Sequence, residues 1–174
     1  VYALIEQART AGMNFLSRVT PKSVKRPFNI TFLVKNAAID DNSGWSMKPT
    51  FSNSCCEYFQ SAFDFNQTVK SLPAGTYKLA AKAFQRPGAY DAVYNAYVNA
   101  KDNVNAVLYA GDKSATICNI AAGARTSRLH SEDVTVGSPV RYIPNSMASA
   151  AAYLKLTTYE NEVVTALEEP VQDM

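Results

Sequence analysis

FDFNQTVKSLPAGTYKLAAKAF, residues Phe63 to Phe84, is the stretch whose reading decides the fold class. Two segments in it alternate with period two: Phe63, Phe65, Gln67 and Val69, then Tyr77, Leu79, Ala81 and Ala83. Such alternation sends one set of side chains to a buried face and leaves Lys78 and Lys82 on the other. Between the segments stands Leu72-Pro73-Ala74-Gly75, with Pro second and Gly fourth in a four-residue turn. Pro presets φ for the second place of a type I turn, and Gly tolerates the exit geometry. The pattern predicts an antiparallel hairpin.

Working back from that hairpin, Leu4, Ile5, Ala8, Ala11, Gly12, Phe15, Leu16 and Val19 recur at three- and four-residue steps. They form the apolar stripe of an amphipathic helix over residues 1–20, ended by Pro21. The stripe needs a partner surface. It either packs on the sheet domain or is the last helix of a preceding bundle, and residues 21–29, rich in proline and charge, read as a linker that favours the bundle. Lys22, Lys25 and Arg26 in that linker are interrupted and flanked by prolines, which fits a solvated segment better than a phosphate site. Residues 30–174 make up the second domain. Ile30 to Val34 is a short β-rich run, followed by a polar loop from Asn36 to Gly44 that leads into Trp45. A further strand is expected around Glu57-Tyr58-Phe59.

Beyond the hairpin, Gln85-Arg86-Pro87-Gly88 breaks the chain. Tyr90, Val93, Tyr94 and Tyr97 stand at helical spacing, while their Asn and Asp neighbours fit an irregular loop as well. Residues 106–110 and 115–120 read as a strand pair about Gly111-Asp112-Lys113, and residues 122–138 are polar and weakly patterned. Asn145-Ser146 caps a short helix carrying Met147, Ala150, Ala151 and Leu154, and residues 159–167 form one more strand. Several short strands separated by turn signals argue for a mostly β fold, a sandwich preceded by one helix.

The composition excludes some function classes. A net charge of +2 is too small to mark a nucleic-acid partner, and no run approaches the ~20 apolar residues of a membrane span. The chain opens on Val1-Tyr2 without an initiating Met, as if cut from a longer protein. Cys55 and Cys56 are adjacent, so at most one of them pairs with Cys118; buried small apolar residues are the simpler reading of all three.

For catalysis the residues are poorly placed. His130, the single histidine, sits beside Ser131 and Glu132, but adjacency in sequence does not build a triad. Zinc ligation lacks paired Cys or His spacing. Glu57 and Asp64 facing each other across strands are the one carboxylate pair of glycosidase type, and surface roles explain them better. Asp40, Asp41 and Asn42, beside Ser43 and Gly44, offer hard oxygen ligands suited to calcium without a defined calcium spacing; turn formation is the competing reading.

Aromatic residues carry more. Tyr90, Tyr94 and Tyr97 cluster in a polar segment, where apolar sugar faces can stack on rings while Asn, Asp and Arg bond hydroxyls. Tyr90 and Tyr94 are the candidate stacking platforms, and Arg86 and Asp91 the candidate hydroxyl partners. Trp45 admits the same role, against that of a core plug.

The order Phe32-Leu33-Val34-Lys35-Asn36, Ser43-Gly44-Trp45, Glu57-Tyr58-Phe59 resembles a galactose-binding-like β-sandwich module of gut-bacterial surface and secreted proteins. Residues 63–69, 72–77, 84–88, 106–110, Ile143-Pro144-Asn145-Ser146-Met147-Ala148 and Tyr159-Glu160-Asn161 continue the resemblance, which spans roughly residues 30–165. It implies an antiparallel jelly-roll-like sandwich, often a carbohydrate-binding accessory without catalytic activity, in an extracellular or outer-membrane surface protein with neighbouring domains. Further strands close the sandwich in that family, so the resemblance also implies that this chain is C-terminally incomplete. The expected ligand is a glycan. A structural or adhesive module with a protein partner is the alternative.

Overall fold

The computed structural model describes residues 4, 7, 8, 10–12 and 27–168. The described residues of the expected N-terminal helix, Leu4, Gln7, Ala8, Thr10, Ala11 and Gly12, are helical; the rest of that helix and most of the expected linker lie outside the described residues. The fold is β-rich with few helices. Its strands are β1 (Thr50–Ser52), β2 (Cys55–Glu57), β3 (Gly75–Lys82), β4 (Val107–Ala110), β5 (Lys113–Thr116), β6 (Val134–Val136), β7 (Arg141–Ile143) and β8 (Glu160–Leu167). Helix α1 spans Tyr90–Val98 and α2 spans Met147–Tyr153. The strands pair as β1–β2, β3–β8, β4–β5 and β6–β7, each a two-stranded sheet, and not as the two larger facing sheets of a jelly roll. No helix among the described residues is long and apolar enough to cross a membrane.

The chain divides into two units, Val1–Thr50 with Tyr58–Tyr77 and Ala166–Met174, and Phe51–Glu57 with Lys78–Thr165. In the second, Val93 of α1, Ile120, Val136 of β6 and Ile143 of β7 form the buried core, with Phe84, Tyr90, Tyr94, Ala124 and Val134 packed around them. Tyr159 is fully buried, tilts against Phe84 at 4.9 Å and donates its hydroxyl to the Ile120 carbonyl at 2.5 Å. Its ring passes so close to Gly123 that a side chain there would collide with it.

The Phe63 to Phe84 hairpin is not formed. β3 lies where the alternation predicts, but its partner is β8. Both strands are eight residues long, and Lys78 meets Glu162 at 2.6 Å while Lys82 meets Glu160 at 3.0 Å. These exposed pairs add little stability each, yet they match β3 to β8 in charge. Residues 62–70 belong to no strand or helix. Their polar contacts go to Ser46, whose amide donates to the Asn66 carbonyl (2.9 Å) and whose hydroxyl bonds the Asp64 carbonyl (2.7 Å). Their aromatic alternation serves ring stacking: Phe65 lies on Trp45 (4.4 Å) and Phe63 on Tyr58 (4.8 Å).

Two other strands differ from the sequence expectation. Thr31–Leu33 is a 3-10 turn, because the Asn29 side chain accepts from the Thr31 amide (2.9 Å) and bends the β-rich run at its start. The strand expected around residues 57–59 ends at Glu57; it is the second arm of the β1–β2 hairpin, turned by Asn53 and Ser54 with φ of 52° and 58°. Paired positive φ values give the twist that suits a two-residue hairpin loop. The β6–β7 hairpin, with Val134 opposite Ile143, occupies a stretch whose sequence is weakly patterned. The helical reading of Tyr90 to Tyr97, the Ser146 cap of α2 and the last strand hold, and so does the β4–β5 pair, except that β5 starts at Lys113 and ends at Thr116, leaving residues 117–120 outside it.

Between these short sheets, buried side-chain amides add to the direct backbone bonds from Gln85 to Cys118 and from Ile120 to Gln85. Gln85 donates to the Ile117 carbonyl (2.8 Å) and accepts from the Asn105 and Ala106 amides (2.6 and 3.0 Å). Asn161 accepts from the Cys118 amide (2.7 Å) and donates to the carbonyls of Ala81, Ala83 and Tyr159. Asn161→Asp puts a carboxylate against those three carbonyls, and is expected to cost more than about 3 kcal/mol in a urea titration.

Candidate functional site

The residues expected to bind sugar lie at the start of α1. Arg86, just after β3, sets its guanidinium over the Tyr90 ring, 4.3 Å from the centroid, and bonds the Gly88 carbonyl at 3.3 Å. The Tyr90 hydroxyl donates to the Asn145 side chain at 2.5 Å. Arg86 and Tyr90 are thus brought together, but against each other: the cation covers a face of the ring that a sugar would need. Tyr94, one turn on, packs on the core and lies directly over Gly137, where any Cβ would strike the ring. Its ring anchors α1 to the residues that follow β6. Asp91 is exposed in the first turn of α1, where its charge complements the helix N-terminus.

The Asp40-Asp41-Asn42 loop is closed by its own hydrogen bonds. Asp41 Oδ1 accepts from the Ser43 amide (2.6 Å) and the Asn36 side-chain amide (3.0 Å), and the Asp40 amide donates to Asn36 Oδ1 (3.3 Å). The bonds from Ser43 hold the Asp41 carboxyl below its ordinary value. Calcium takes six to eight oxygens, and two neighbouring carboxylates, one of them turned into its loop, do not fit that demand. Among the described residues no group of three or more His, Cys, Asp or Glu side chains stands ready for a metal.

That loop builds a different feature. Asn36, at φ 45°, receives the Trp45 indole N–H on its carbonyl at 3.1 Å, and the Trp45 amide donates to Asn42. With Phe65 stacked on one face, the half-buried Trp45 is fixed in place. Gln67 clasps the backbone of Lys35 in both directions, accepting from its amide (2.8 Å) and donating to its carbonyl (3.0 Å). The result is an open cleft of about 340 Å³, lined by Gly44, Trp45 and Ser46 from the loop and by Asn66, Gln67 and Thr68 from the segment 62–70, with Lys35 beside them. Sequence reading marked Trp45 alone here. Lys35 and Gln67 are joined only by folding, and no local spacing announces the clasp.

The candidates for catalysis are occupied. Asp133, the one buried carboxylate among the described residues, accepts from the Leu129 and His130 amides (2.8 and 3.0 Å), the Tyr153 hydroxyl (2.9 Å) and the Ser149 hydroxyl. Burial pushes its carboxyl up, but the bonds from Ser149, His130, Leu129 and Tyr153 outweigh it, and the group sits below its ordinary value. Burial and the Asp133 charge push the Tyr153 phenol up in turn. His130 Nδ1 accepts from the Glu132 amide at 3.2 Å, and the Ser146 hydroxyl, capping α2, meets the Glu132 carboxylate. Residues 62–70 are no strand, so the cross-strand premise for Glu57 and Asp64 fails. The three cysteines are free thiols, half-buried, each pushed up mainly by burial and so poor nucleophiles.

No family model, curated protein or solved structure matches the chain.

Two stability measurements follow from these contacts. Tyr94→Ala is expected to lose about 3 kcal/mol because it empties the space over Gly137, whereas Tyr90→Phe, which removes only an exposed bond, loses less than about 1 kcal/mol. Asp133→Asn is expected to cost about 3 kcal/mol at pH 7. A carboxyl lowered in the folded state gives stability that is complete above its unfolded value near 3.8 and is lost as pH falls through the folded value. The gap between wild type and Asp133→Asn therefore narrows below about pH 4, as read from urea midpoints across pH.

Proposed function

We propose that the chain is a non-catalytic carbohydrate-binding accessory module of a secreted or surface-exposed bacterial protein, carried on its β-rich scaffold of short sheets. The observation that carries the reading is the Trp45 cleft. Sugar rings present C–H faces that stack on aromatic surfaces, while amides and hydroxyls at the rim bond the ring hydroxyls. Trp45 supplies the aromatic wall, and Ser46, Asn66 and Thr68 supply polar groups around it. Affinity at one open cleft of this size is weak, so the module acts by holding a larger protein near polysaccharide.

The non-catalytic part of the reading draws on the bonding of Asp133 and His130, neither of which stands in this cleft. The extracellular setting is what the ordered resemblance over residues 30–165 implies. A protein-binding module is the second reading, favoured by the exposed aromatic rings Phe59 (58%) and Phe63 (42%).

Affinity electrophoresis on immobilised polysaccharides tests the site. Thr68→Met, a bulkier side chain on the exposed rim, is expected to abolish retention while moving Tm by less than about 2 °C; Tyr90→Phe is expected to leave retention intact. The reverse pattern would move the site to Arg86 and Tyr90. Absence of retention on every polysaccharide from a folded sample would favour the protein-binding reading.

A further inference from the structure

Resting on the glycan reading of the Trp45 cleft, we propose that the sugar it takes is anionic, a uronate or a sulfated residue, and that Lys35 is the group that selects it. The cleft is lined by one charged residue, Lys35, and by no carboxylate. Lys35 makes no ion pair among the described residues, whereas Lys78, Lys82 and Lys113 each meet an acidic partner. The loop's own Asp41 is turned inward onto Ser43 and Asn36, which keeps its charge engaged within the loop.

Lys35 is also held in a way that ordinary surface lysines are not. Both its backbone groups are fixed by the Gln67 amide, and its Cβ, Cγ and Cδ lie against Gly44, at φ 81°, within 3.5 Å of where a Cβ would stand. A side chain at position 44 would push the stem away. Gly44 therefore serves two ends, the left-handed backbone of the loop and the seat of the lysine stem. A stem ordered before the ligand arrives reduces the rotamer entropy lost on binding, and an ammonium beside an aromatic wall can give a sugar carboxylate or sulfate a charge-assisted hydrogen bond.

Trp45 is the single tryptophan of the chain, so its fluorescence reports directly on the cleft. The test titrates three probes of matched length into the full chain: a galacturonate oligosaccharide, a sulfated galactan oligosaccharide and a neutral galactan oligosaccharide. At least one anionic probe is expected to shift Trp45 emission with affinity about fivefold or more above the neutral probe, a preference that fades with added salt. Lys35→Gln keeps the stem and removes the charge; it is expected to bring the anionic probe down to the neutral level, and Lys35→Arg to restore it. Which anionic probe binds identifies the anion. Equal affinity for neutral and anionic probes, or unchanged anionic binding by Lys35→Gln, would overturn the assignment and leave the glycan reading standing. No response to any probe, by fluorescence and by calorimetry on a folded sample, would overturn both.

Discussion

Side-chain amides bonded to backbone are the constraint on which the rest of this structure depends. Sheets of two strands leave many backbone groups without a ladder partner, and buried groups cannot stay that way. Gln85 and Asn161 serve seven such groups between them through their side chains. Asn119 adds the cap of the Ile120–Gly123 turn and a bond to Asp102. An amide suits this work because it donates and accepts from one rigid plane, as a peptide unit does. Each bond is worth only about 1 kcal/mol net, but leaving any of these groups unpaired costs more than forming it gains. That asymmetry locks short strands into place without a large sheet.

The same device recurs at the surface around Trp45, with a different consequence. Gln67 copies a strand's bonding to Lys35, and the Ser46 hydroxyl both donates to Asp64 and accepts from Asn66. Two loops are tied to each other without becoming strands, so their side chains need not alternate between faces. Trp45 and Phe65 can therefore stack while Lys35, Ser46 and Thr68 stay exposed beside them. A site of mixed polarity needs that freedom from strict alternation.

Local signals were legible in the sequence, and pairings were not. Alternation located β3, the Gly111-Asp112 turn located β4 and β5, and Ser146 announced α2, because each rests on residues close in the chain. What failed was the assumption that neighbouring strands pair. The pairing of β3 with β8 joins residues far apart in the chain, Lys78 with Glu162 and Lys82 with Glu160 among them, and no turn motif encodes it. Ile30 to Val34 was misleading because a single upstream residue, Asn29, overrides β propensity. At the sites, residue type was readable but availability was not. Tyr90 and Arg86 have the chemistry of a sugar site, and folding turns them on each other.

Availability is what separates a functional group from a structural one in this molecule. Polar and aromatic residues abound, so their presence in a cluster carries little information. The bonds they already hold carry more. Asp133 has four donors, Asp41 is closed into its loop and Tyr94 is wedged over Gly137; binding a ligand at any of these would first require breaking a contact that holds the fold. At the Trp45 cleft the supporting bonds are made by Gln67, Asn36 and Ser46, while the lysine charge takes no part in them. On the proposed reading, the charge that recognises the ligand is therefore not one of the groups that hold the frame. A ligand can then engage the cleft without weakening its frame, the condition that a preorganised site must meet.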